Sequence, residues 1–157
     1  KWNLKQLLME EWGVSEEDAS YFMGLYSDPN FFANLEPYPA AQMGVLLLRA
    51  MGFSVSMNTA RPLGCAEVTH EWVKRHFGRL PRRVNILGWS GKVLAIADSG
   101  AVLHLDDHAA TVRDINLYKR TRAKLKPCPW NRTGEVNKED ELRHGWLEFL
   151  ALAMRNK

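Results

Sequence analysis

Cysteine is scarce in this chain: Cys65 and Cys128 are the two among 157 residues. That is too few for a disulfide scaffold, so two reduced thiols are expected. Long apolar runs are missing as well. The longest, MGVLLLRAMGF from Met43 to Phe53, is interrupted by Arg49 and falls short of the roughly 20 residues a membrane-spanning helix needs. No membrane association is expected. No glycine-rich phosphate loop, finger-type zinc spacing or dinucleotide fingerprint occurs, so neither a cofactor nor a metal is expected. Low-complexity tracts and internal repeats are absent too, which argues against disorder away from the ends. A large excess of one charge is also lacking. With 21 basic and 18 acidic residues the formal net charge is +3, less than proteins that coat nucleic acid by charge alone usually carry. The distribution of charge therefore matters more than its sum. The chain opens on Lys rather than Met; the cytoplasm is the expected compartment, with a removed signal peptide as the alternative.

What is present suits an ordinary globular protein: 46% hydrophobic and 25% charged residues, enough to bury a core in one domain spanning 1–157. The first part, 1–52, reads as mainly helical. Leu4, Leu7, Leu8 and Trp12 recur at helical spacing after Asn3 and before Gly13. Ser15 with Asp18 forms a capping pattern ahead of Ala19, Phe22, Met23 and Tyr26. Asp28-Pro29 opens a short helical turn, and Pro39 to Met51 is apolar on nearly every side, as a buried helix would be.

Region 53–118 reads as a short strand at Phe53 to Met57, a helix from Cys65 to Gly78, and then a change of period. RRVNILGW, KVLAIAD, AVLHLDD and ATVRDINLY are short Val-, Ile- and Leu-rich runs separated by Ser90-Gly91, Ser99-Gly100 and the His108 region. They predict an antiparallel meander of three or four strands. Residues 119–136 read as a basic loop and 137–157 as a C-terminal helix capped by Asn137. The expected fold class is therefore α+β: an N-terminal helical cluster packed on an antiparallel meander, with a C-terminal helix.

Cys65 follows a Pro-Leu-Gly bend at a helix start, where free N–H groups and the peptide dipoles favour a thiolate. His104 is the candidate base, with Asp114 or Asp106 to orient it. Cysteine on a helix followed by histidine and aspartate on consecutive strands is similar, in element order only, to papain-like and transglutaminase-like thiol enzymes. This gives one functional reading, a cysteine-dependent hydrolase or transferase. Against it, Cys65, Val68, Thr69, Trp72 and His76 form one helical stripe, which turns the sulfur toward the core. The HLDDH run, His104 to His108, gathers imidazoles and carboxylates, but its spacing suits a polar turn better than a metal centre.

The leading reading comes from two basic segments. Lys74, Arg75, Arg79, Arg82 and Arg83 form the first; Lys119, Arg120, Arg122, Lys124, Lys126 and Arg132 form the second, with Trp130 beside them. Arg and Lys bind phosphates while aromatic rings stack on bases, so a small binding protein that engages nucleic acid is expected. An acidic protein surface would suit the same belt, and a protein-interaction or inhibitory module is the third reading.

Overall fold

The computed structural model describes residues 4–10, 12–128, 131 and 136–156. The N-terminal part is helical. Helix α1 spans Leu4–Glu10, α2 Glu16–Ser27, α3 Pro29–Ala33 and α4 Ala41–Ala50. Local chemistry accounts for the starts of α2 and α3. The Ser15 hydroxyl accepts the Asp18 N–H at 3.1 Å, and Asp28 Oδ1 accepts the Asn30 N–H at 2.8 Å while Pro29 fills the first helical position. Trp12 does not join the stripe expected of α1; it follows the helix and is exposed.

From there strands and helices alternate. Strand β1 (Ser56–Thr59) leads through a 3₁₀ turn at Leu63–Cys65 into α5 (Ala66–Phe77), then β2 (Arg83–Ile86), α6 (Gly88–Ala97), β3 (Leu103–Asp106), α7 (Ala109–Leu117) and β4 (Arg122–Leu125), with α8 at Trp146–Arg155. The strands form two parallel pairs. Ser56 lies opposite Arg83 and Thr59 opposite Ile86; Leu103 lies opposite Arg122 and Asp106 opposite Leu125. The class is α+β as expected, but the antiparallel meander is not there. KVLAIA belongs to α6 and ATVRDINL to α7, and the remaining strands pair in parallel across helices.

The reason is visible in the burial. Ile96 and Ala97, joined by partly buried Val93, line one side of α6, while Ala109, Val112 and Ile115 line one side of α7. Those intervals of three and four are helical. Ser99-Gly100, read as a hairpin turn, instead ends α6, with the Ser99 hydroxyl donating to Ile96 O at 2.7 Å and Gly100 at φ 69°. The C-terminal helix also begins later than expected. Leu142 is buried with Phe149, Leu150 and Ala153, but α8 starts after Gly145, and Leu125 bridges in parallel to Glu141 along the outer edge of β4.

Helices cover both faces of the strands. Helices α4, α5 and α8 lie on the side of Met57, Val84, Leu103 and Leu105; α6 and α7 lie on the side of Ala123 and Leu125. The crossovers β1–α5–β2 and β3–α7–β4 thus use opposite faces. No ladder joins β1 to β3. One close fit seats α8 on α4: a Cβ at Gly44 would overlap the Trp146 indole.

Candidate functional site at the carboxyl ends of the strands

In parallel-stranded folds the region beyond the carboxyl ends of the strands commonly collects ligands. Here it is lined with charge. Asp106, the last residue of β3, is buried to 2% of its side chain and pairs through Oδ2 with Lys92 Nζ at 2.7 Å and His104 Nε2 at 3.0 Å. Its Oδ1 accepts the His108 N–H at 3.0 Å. Burial opposes ionisation of Asp106. The His104 hydrogen bond and the Lys92 charge more than offset it, and the carboxyl is held well below the usual carboxylate range.

Lys92 comes from α6, whose first residue, Gly88 at φ 60°, follows β2 within two residues and has no capping side chain before it. The Leu87 N–H donates to Thr59 O at 2.9 Å, tying the start of α6 to the end of β1. An uncapped helix start aimed from a strand end, with a lysine one turn in, is an arrangement that favours anions.

The segment from Asp28 to Ala40 spans the carboxyl side of both strand pairs. Phe32 stacks on the Arg61 guanidinium at 4.6 Å beyond β1, and Tyr38 on Lys126 Nζ at 3.7 Å beyond β4. Burial, together with nearby Cys128 and Asp107, pushes the Tyr38 hydroxyl up to about 12. Below it, Asn131 holds the turn: its Nδ2 donates to Asp107 O and Lys126 O, both at 2.7 Å, and its Oδ1 accepts the Cys128 N–H at 2.8 Å. Lys126 Nζ also sits 3.3 Å from Cys128 Sγ.

The thiol constellation is only partly assembled. Cys65 is 1% exposed, and its Sγ faces Ser27 O at 3.8 Å. His104 bonds to Asp106, its neighbour on the same strand face, while Asp114 lies on helix α7 beside Arg113 rather than on a strand. Both cysteines are free and buried. His108, expected as a turn residue, caps α7 by accepting the Thr111 N–H at 3.3 Å. Among the described residues no three His, Cys, Asp or Glu side chains come close enough together to hold a metal. No helix among them is long and apolar enough to cross a membrane.

The basic residues divide. Arg79, Arg82, Arg83, Lys119 and Arg122 are exposed around the amino ends of β2 and β4. Lys74 reaches Glu71 at 3.8 Å, Arg75 donates to Ala33 O at 3.2 Å and Arg120 meets Asp98 at 3.2 Å. Lys124 is buried, bonded to Glu139 O and to Asp140 at 3.2 Å, and Lys126 belongs to the carboxyl side described above. Trp130 and Arg132 lie outside the described residues. Asn116, Lys119, Thr121, Arg122 and Asp140 line an open depression of about 250 Å³.

Sequence reasoning missed Lys92 and Arg61. The signal for Lys92 was LGWSGKV, a glycine-rich turn running from a strand into a helix; Arg61 has no local signal, because its ring partners lie elsewhere in the chain. No family model, curated protein or solved structure matches this chain.

Proposed function

We propose that the protein binds a small phosphate-bearing molecule in the crevice at the carboxyl ends of β1 and β3. The observation that carries this reading is Lys92, held in place by buried Asp106 one turn into an uncapped helix start. Phosphate needs N–H donors and a positive charge in a fixed direction, and such a start offers both. Arg61 and Lys126 add cationic character on either side, under the roof made by Phe32 and Tyr38. Calorimetric titration with inorganic phosphate and a simple phosphate monoester tests the reading. Saturable binding is expected, weakened at least about tenfold by Lys92→Met, in line with loss of one charge-assisted hydrogen bond. Absence of binding in the intact protein would refute it.

A second reading, nucleic-acid binding, is favoured by the exposed Arg79, Arg82, Arg83, Lys119 and Arg122 and by the depression that Lys119 and Arg122 line. It calls for single-strand oligonucleotide binding that falls steeply with salt and is weakened by Lys119→Gln with Arg122→Gln. Binding that ignores salt, or no binding, removes it.

A further inference from the structure

Arg61 stands where β1 gives way to the turn into α5. Its N–H donates to Thr59 Oγ1 at 3.2 Å, so the residue is tied to the strand end that also receives the start of α6. Its guanidinium lies 4.6 Å from the centroid of Phe32 and 5.0 Å from that of Trp72. Both rings are themselves held. Trp72 donates its indole N–H to Leu35 O, and Phe32, 4% exposed, packs edge-on against Tyr26 and Phe31 at 5.4 Å.

Ring faces attract a cation but accept no fork of N–H donors. The hydrogen bond that the Arg61 guanidinium makes among the described residues goes from Nη1 to the neutral Thr69 hydroxyl at 3.4 Å, and no carboxylate pairs with it. Lys92 and Lys124, the more deeply buried cations along the strands, each have a carboxylate, while Lys126 has the Tyr38 ring and Cys128 Sγ. Burial pushes the Arg61 pKa down, with Tyr26 and Cys65 opposing that shift. A half-buried guanidinium has five donors and is costly to leave without an anion.

We infer that Arg61, clamped between Phe32 and Trp72, is the residue that grips the ligand's phosphate oxygens. The inference rests on the crevice reading above. The clamp fixes the plane of the fork before the ligand arrives, which suits two parallel N–H···O bonds to an oxyanion.

Calorimetric titration of inorganic phosphate into the intact protein, Arg61→Met, Arg61→Lys and Lys92→Met tests it, with a melting curve for each. Arg61→Met is expected to lose about tenfold or more in affinity, and Arg61→Lys several-fold, because lysine keeps the charge and loses the fork. Unchanged affinity in Arg61→Met overturns the inference and leaves the crevice reading standing if Lys92→Met is weakened. If Arg61→Met does not fold, Arg61→Lys decides: weakened binding supports the role and wild-type affinity overturns it. No binding by the intact protein overturns both readings.

Discussion

At the carboxyl ends of the strands the charges are withdrawn from solvent and answered by neighbours: Lys92 and His104 by Asp106, Lys126 by the Tyr38 ring and the Cys128 sulfur. At the amino ends Arg79, Arg82, Arg83, Lys119 and Arg122 project into water without an ion pair among the described residues. The first kind of charge is fixed by the neighbours it bonds to and weakly screened. The second acts at a distance and fades within about 8 Å at physiological salt. The two proposed readings divide accordingly, a small ligand at the carboxyl ends and a polymer at the amino ends.

The largest effect that separates them is expected at Asp106. Asp106→Asn leaves Lys92 without its counter-ion in a mostly buried place and should cost about 3 kcal/mol in denaturant unfolding. The sign of the pH dependence follows from the depressed carboxyl. Its stabilisation is fully present above the unfolded-state value of about 4 and is lost as pH falls toward the lower folded value. Unfolding measured down that range should show a steep loss in the wild type and a shallower one in Asp106→Asn.

Gly44→Ala, on helix α4, should cost about 2 kcal/mol by pushing Trp146 from its seat, a control for general loosening that removes no charge. Lys119→Gln with Arg122→Gln should change stability by less than about 0.5 kcal/mol, since both side chains are exposed. If that pair instead unfolded the protein, the contrast between the two ends would be gone. Smallest of all, Cys65 and Cys128 should stay unlabelled by an alkylating reagent until denaturant is added, since both are buried. Rapid native labelling of Cys65 would favour the thiol reading.

Local chemistry made several helix starts and stops legible. Ser15 with Asp18, Asp28-Pro29 and the α5 stop at Gly78 each depend on neighbours within a few residues, and each stands where the sequence placed it. The strands were harder, because each is four residues long. Over that length a buried strand and one face of a buried helix read alike, which is why KVLAIA and ATVRDINL read as strands. Parallel pairing leaves no hairpin turn to find; it depends on contacts across an intervening helix. The same holds for the crevice. HLDDH was conspicuous, yet its role depends on Lys92, which the fold brings from the helix before it.

The seat of Trp146 over Gly44 has a bearing on how the chain finds its fold. The tryptophan is the first residue of α8, and the gap it fills exists only where α4 lacks a side chain. Among neighbours such as Val45 and Leu48, which would accept almost any apolar partner, this vacancy accepts one ring at one height. It works as a docking register for the last helix, choosing a single landing place on a surface that greasiness alone would leave ambiguous.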